Sequence, residues 1–325
     1  MSSFEKISKF IRKKDNFLIV SHENPDCDAI GSTLAAGLAL KKLGKNVKMY
    51  NKDKLHYLEF LPGSDLIVNS LQNIGNNVST AIVLDCADNL RPGEDFSNYS
   101  KNNELELIFI DHHKSNNLNG KNILIDADAS STGIMIYKLL KYLGVEIDID
   151  IAENIFSTIV GDTGSFRYSN TYCETFHIAG ELVSLGVDPE KISQKIYENE
   201  SIDKIKLMGL ALTTLDIDPT EKVAFVHVNK EMFELTHTNR FDTEGLVNIP
   251  RSIKGIEVAV MLREEYENGI SNWKASLRSK DYIDVAEIAK EYGGGGHKKA
   301  AGCRLQGSIE DVKSRLYGSI RKEIK

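Results

Sequence analysis

The stretch SHENPDCDAIGS, Ser21 to Ser32, places His22, Asp26 and Asp28 together immediately after an apolar run. Four more polar clusters follow: LDCAD with Asp85, DHH at 111–113, DADASST at 126–132 and GDTGSF with Asp162. Carboxylate oxygens mixed with imidazole nitrogens suit Mn²⁺ or Mg²⁺ better than a thiolate-seeking metal. Two such ions side by side can clamp phosphate oxygens and lower the pKa of a bridging water for in-line attack. One carboxylate must then serve both ions, and a centrally placed strand-end residue such as Asp85 is suited to that. Taken singly, each cluster also has a structural explanation. Asp28 suits the N-cap of a helix beginning at Ala29, Asp85 suits a strand-end turn, and a lone histidine is commonly a structural polar group. The set as a whole points to a metal centre.

For these clusters to meet, the chain must bring them to one edge of a scaffold. NFLIV (16–20), VKMY (47–50), TAIVLD (80–85), LELIFID (105–111) and NILID (122–126) read as buried strands. AIGSTLAAGLALKKLG (29–44) and STGIMIYKLLKYLG (131–144) read as helices, each closed by glycine. The alternation predicts an α/β fold with a mostly parallel sheet flanked by helices. Ligands of such sheets sit at the carboxyl ends of the strands, where three of the five clusters fall. A helical stretch follows to about residue 215, then KVAFVHV (222–228), EVAVMLREE (257–265) and WKASLRSK (273–280) as strands, DYIDVAEIAKEY (281–292) as a helix, and AAGCRL (300–305) as a further strand. The expected division is a metal-binding domain over 1–195, a helical connector over 196–216 and a smaller α/β domain over 217–325.

The 325 residues suffice for two domains with sizeable cores. Forty basic against forty-seven acidic residues give a net charge of -7, which argues against a protein that coats long nucleic acid. A small anionic substrate at a local site remains open, because a bound metal reverses the local field. Cys27, Cys86, Cys173 and Cys303 are scattered and form no CxxC pair, so neither a disulfide scaffold nor structural zinc is expected and a reducing cytoplasm fits. Charges interrupt the N-terminal stretch throughout, and no run approaches the ~20 apolar residues that a membrane span needs. The expected location is cytoplasmic.

Near the C-terminus, GGGGH (293–297) follows a predicted helix. One glycine would suffice for a helix C-cap. Four in a row suggest close backbone approach, with amides of Gly294, Gly295 and Gly296 able to cradle phosphate. His297 would then reach a phosphate or stack on a base, while Arg278 and Ser279 supply a forked guanidinium and a hydroxyl to the same anion.

SHENPDCDAIGS, VLDCAD, IDHH and VGDTGSFRYSN stand in the order of the DHH phosphoesterases, which the chain resembles over nearly its whole length. LRSK and GGGGH resemble the glycine-rich associated domain of that family's RecJ-like branch. Length and two-domain plan are most similar to bacterial nanoRNases, oligoribonucleases that also dephosphorylate 3'-phosphoadenosine 5'-phosphate (pAp). The resemblance implies that His22 and Asp26 bind one ion, that Asp28, His112 and Asp162 bind a second, and that Asp85 bridges them. It implies Mn²⁺ with Mg²⁺ as a substitute, His113 facing the substrate phosphate as hydrogen-bond donor or general acid, and Asp111 orienting a ligand imidazole. It also implies an active site in the interdomain cleft, short RNA or nucleotide phosphates as substrates, no membrane, and a possible homodimer. Position 27 is familiar in this family as glycine. Here it is Cys27, and alternating side-chain directions are expected to send it away from the ligands. Two alternatives remain: a soluble phosphodiesterase for pApA or cyclic-di-AMP, and a non-catalytic nucleotide-binding regulator, which would be expected to lack at least one ligand.

Overall fold

A computed structural model describes residues 3–75, 77–113, 116–267 and 270–324. They fall into two compact units, Met1–Asn199 and Glu200–Lys325. The first is built on strands β1 (Asn16–Val20), β2 (Asn46–Tyr50), β3 (Ile67–Val68), β4 (Thr80–Leu84), β5 (Glu106–Asp111) and β6 (Asn122–Ile125). Its helices are α1 (Ser3–Arg12), α2 (Cys27–Lys42), α3 (Glu94–Asn102), α4 (Thr132–Leu143), α5 (Ile149–Asp162), α6 (Cys173–Ser184) and α7 (Pro189–Tyr197).

The strand order is β3-β2-β1-β4-β5-β6 with every pairing parallel, as the continuous apolar runs predict. Side chains alternate across the sheet. Phe17 and Ile19 pack in the core shared with α2, α4 and α5, whereas Leu18 and Val20 pack on the other face with Phe96 of α3. After β1 the chain moves outward to β2 and β3, and after β4 it moves the opposite way to β5 and β6. The carboxyl ends of β1 and β4 therefore flank the point at which a doubly wound sheet opens a crevice.

Helix α2 starts at Cys27, not Ala29, and its N-cap is Asp26, not Asp28. Asp26 is extended and its carboxylate accepts from the amides of Asp28 and Ala29, both at 3.0 Å. An N-cap must lie outside the helix with its side chain turned back onto the first turn. Asp28 already has helical backbone, so it cannot cap and its carboxylate points elsewhere. Helices α2, α4 and α5 approach one another through glycine. A Cβ on Gly31 would lie 2.8 Å from the Asn154 carbonyl oxygen, and one on Gly133 would run into Thr158.

The second unit opens with α8 (Ile202–Thr213), followed by β7 (Asp216–Ile217), β8 (Val223–Val228), α9 (Lys230–Thr236), α10 (Asn248–Ser252), β9 (Val258–Glu267), β10 (Ile270–Ser279), α11 (Val285–Lys290), β11 (Gly295–His297), β12 (Ala300–Gln306) and α12 (Ile309–Glu323). Leu207 and Ala211 of α8, from the stretch expected as a connector, pack against Val226 and Val228 of β8. The sheet is mixed, in the order β11-β12-β10-β9-β8-β7, with only β8 and β9 parallel. The GGGGH run, expected to bring backbone amides close to a phosphate, contributes strand β11. Among the described residues no helix is long and apolar enough to cross a membrane.

Candidate metal centre

The crevice between β1 and β4 gathers seven acidic and imidazole side chains. His22 follows β1, Asp26 and Asp28 open α2, Asp85 follows β4, His112 and His113 follow β5, and Asp162 ends α5. The first group is His22, Asp26 and Asp85: His22 Nε2 lies 3.9 Å from Asp26 Oδ1 and 3.5 Å from Asp85 Oδ2. The second is Asp28, His112 and Asp162: His112 Nε2 lies 3.5 Å from Asp28 Oδ2 and 3.4 Å from Asp162 Oδ2. Asp85 belongs with both, since its other oxygen, Oδ1, lies 3.6 Å from His112 Nε2. In each group the donor atoms lie within 4.8 Å of one another, as they also do for Asp85, His112 and His113.

The ring orientations fit cation binding. His22 Nδ1 lies 2.9 Å from the Glu23 carbonyl and His112 Nδ1 lies 3.1 Å from the Ala129 carbonyl. A carbonyl can only accept, so Nδ1 carries a proton and each Nε2 faces the carboxylates, donating to them when the ring is charged and free to ligate a cation when it is neutral. The electrostatics fit as well. Burial, reinforced by the charges of Asp85 and Asp162, pushes the Asp28 carboxyl well above its usual range. Burial also pushes Asp162 up to about 7, with His112 opposing and the charges of Asp85 and Asp26 adding. Asp85 goes the other way: the hydrogen bond from His22 and the nearby imidazoles overcome its burial and hold it low. Carboxylates crowded this closely in a buried crevice are a donor set that divalent cations would relieve.

Backbone and hydroxyl donors aim these carboxylates. The first turn of α4 points at Asp28, with the Thr132 amide 2.7 Å from Oδ2 and the Gly133 amide 3.1 Å from Oδ1. Ser32 adds a hydroxyl at 3.1 Å. The Thr132 hydroxyl donates to Asp85 Oδ1 at 3.1 Å, so one residue ties both groups. Thr132 lies in the DADASST cluster, but a role exercised through an amide and a hydroxyl leaves no acidic or imidazole signature. The acids of that cluster go elsewhere, with Asp126 facing Lys138. Asp85 itself has φ +58, a left-handed conformation uncommon outside glycine though aspartate and asparagine tolerate it best, and residues held in this way gather at functional sites.

His113 stands behind the pair. Its Nδ1 lies 2.7 Å from Asp111 Oδ1, and Asn116 holds the other oxygen of Asp111 at 2.5 Å. Burial disfavours the imidazolium, but the Asp111 hydrogen bond and the charges of Asp85 and Asp111 prevail and raise His113 to about 9. Asp111 thus orients His113, the imidazole that joins Asp85 and His112 in the third donor group. Cys27 faces away from the centre: its thiol donates to the Ser157 carbonyl of α5 at 3.3 Å, and burial pushes its pKa well up. The physical reason is its place as the first residue of a helix packed on α5, not strand alternation.

In the second unit, Arg278 of β10 and His297 of β11 both pair with Ala300 of the intervening β12. Directly opposed residues share a sheet face, so the two side chains rise on either side of one alanine. Ser279 is buried, and its hydroxyl donates to the Ile283 carbonyl at 2.8 Å. The glycine run has local duties. Gly293 has φ +69, and a Cβ on Gly294 would strike the Gly302 carbonyl of β12. Gly295 pairs with Gly302, and Gly296, at φ +145, leaves no room for a Cβ against Ala300 and Ala301.

The chain is similar to known proteins over most of its length. Residues 16–160 match the model of the DHH family, N-terminal domain, and residues 232–323 match the DHHA1 domain. The bifunctional oligoribonuclease and PAP phosphatase NrnA of Thermus thermophilus is 30% identical over 94% of this chain and 89% of its own length. The protein of the same name from Bacillus subtilis is 28% identical, covering 90% of both chains. The crystal structure of an exopolyphosphatase-related protein from Bacteroides fragilis superposes with a TM-score of 0.91 at 28% identity, covering 98% of this chain and 96% of that one.

Proposed function

The chain belongs to the DHH family, whose members are metal-dependent phosphoesterases, and on that premise we propose that it hydrolyses short oligoribonucleotides to mononucleotides, pAp to AMP, or both. The observation that carries this reading is Asp85, whose two carboxylate oxygens address two separate Asp/His groups at 3.5 and 3.6 Å. His22 and Asp26 would hold one cation and Asp28, His112 and Asp162 the other, with Asp85 contributing to both. Bound there, two divalent ions, Mn²⁺ by preference with Mg²⁺ as a substitute, supply Lewis-acid polarisation of the phosphate and a water of lowered pKa.

The remaining work falls to the protein. The α4 amides and Thr132 hold Asp28 and Asp85 in place, so that their charge needs no reorganisation during the reaction. His113, kept protonated at neutral pH by Asp111, donates its proton to the leaving oxygen. Arg278 and His297 bind the nucleotide, with the glycine run shaping the backbone beside them, and Ser279 acts as a buried brace for that corner. Retention of all six metal positions argues against a non-catalytic regulator. Four free cysteines fit a cytoplasmic enzyme.

The test is a Mn²⁺ titration with product analysis on diadenylate, pAp, pApA, cyclic-di-AMP and pyrophosphate. Asp85→Asn is the decisive variant, because asparagine tolerates the left-handed backbone while removing the bridging charge. We expect a loss of at least about 10³-fold in rate, corresponding to several kcal/mol of charge stabilisation. A rate within a factor of a few of the wild type would sink the two-cation assignment. Turnover confined to cyclic-di-AMP or pApA would replace the oligoribonucleotide reading.

A further inference from the structure

The sheet that carries the metal centre has a second opening. At the carboxyl ends of β2 and β3 lies a cavity of about 660 Å³, walled by Tyr50 and Lys52, by Gln72 beyond β3, and by Asp95, Asn98 and Tyr99 of α3. That volume is typical of small-molecule sites. Asp95, Asn98 and Tyr99 are spaced i, i+3 and i+4 and so share one face of the helix. The Tyr99 hydroxyl donates to the Gly75 carbonyl at 3.1 Å, which fixes its ring. Tyr50 is buried at the last position of β2.

The charges give an anion little hold. The Lys52 ammonium is already shared by Glu23 at 3.1 Å and Asp95 at 3.3 Å, and Asp95 balances it within the lining. The polar lining also holds Asn69, whose amide donates to the Asn51 and Asp53 carbonyls, the Ser70 hydroxyl, the Tyr99 phenol and the side-chain amides of Gln72 and Asn98. An amide offers a paired donor and acceptor, the pattern that reads a purine edge, and the half-buried Tyr99 ring offers a stacking face to a base.

The cavity also adjoins the centre. Tyr50 is the register partner of Val20, two residues before His22. Asn51 Nδ2 donates to the His22 carbonyl at 3.0 Å, and Glu23, next to His22, holds Lys52. From this geometry we infer that the cavity is a nucleobase pocket, which receives the base of a nucleotide adjoining the phosphate under attack. The inference rests on the oligonucleotide reading above and adds to it a base-recognition site within the metal-binding unit.

The experiment compares steady-state hydrolysis of diadenylate with that of its two abasic analogues by the Mn²⁺-loaded full chain. Removal of one particular base should raise KM about tenfold, in keeping with the loss of one stacked, hydrogen-bonded base. The double variant Gln72→Ala/Asn98→Ala, at two exposed positions, should shrink that discrimination several-fold. Equal KM for all three substrates in the wild type, or full discrimination in the variant, overturns the pocket while leaving the oligonucleotide reading standing. If the wild type cleaves none of them, that reading fails, and equilibrium titration with adenosine decides the pocket alone. Binding weakened several-fold in the variant supports it, and no binding to the wild type overturns it.

Discussion

At the scale of single residues, Thr132 governs more than its size suggests, because its amide aims Asp28 and its hydroxyl aims Asp85. Thr132→Val keeps the amide and the shape but removes the hydroxyl. Loss of a group that orients a metal ligand costs about 10–100-fold in metal affinity or activity, and a Mn²⁺ titration of the variant should show a shift in that range. In the proposed mechanism His113 sets a pH limb. Its pKa is raised to about 9, so the donating imidazolium is present below that value and is lost as pH rises through it. Bound cations offset the Asp85 and Asp162 charges that help raise His113 and so draw this value down; the wild-type rate should fall as pH rises through a value at or below about 9, and His113→Gln should lower the rate by ~10²-fold or more and abolish that limb. The Asp and His residues of the candidate centre were legible in the sequence because they stand at successive strand ends and announce themselves by type. Thr132 and the left-handed backbone of Asp85 were not, since neither an amide direction nor a φ angle is written in residue identity.

At the scale of elements, the site depends on how closely α2, α4 and α5 pack. Gly31 faces the Asn154 carbonyl and Thr158 of α5, with 2.6–2.8 Å available where a Cβ would stand. A backbone carbonyl cannot rotate out of the way, so Gly31→Ala must separate α2 from α5. Overpacking of this kind costs about 1–3 kcal/mol, which should lower the urea midpoint with little change in slope. The same shift displaces Asp28, so activity should fall alongside stability. Strands β1, β4 and β5 were legible within a residue because buried parallel strands are unbroken apolar runs. The two-residue β3 and β7 were not, being too short to show a period, and β11 was hidden by glycine. The C-terminal helix went unread although Val312, Leu316 and Ile320 repeat every four residues behind the Ser308 cap.

At the scale of the whole molecule, the order β3-β2-β1-β4-β5-β6 brings the ligands together, and no local pattern contains it. The alternation of elements implied a parallel sheet, but which strands are neighbours is settled by long-range packing. The assembled centre links stability to pH. For Asp162 the folded pKa, about 7, exceeds the usual unfolded value near 4. Between those values the folded state binds the extra proton, so its contribution to stability is lost as pH rises from about 4 to about 7. Chelator-treated protein should accordingly melt at lower temperature at pH 7.5 than at pH 5.5, and Mn²⁺ should restore more stability at the higher pH because it replaces those protons. A melting temperature that rises with pH in the chelated protein would contradict this linkage. The cap of α2 has a consequence of its own. Asp26 Oδ1 holds the amides of Asp28 and Ala29 and also faces His22, so a cation drawing on that oxygen must loosen or polarise the first turn of the helix. Deuterium uptake at those two amides would then serve as a built-in gauge of metal occupancy, readable without any substrate.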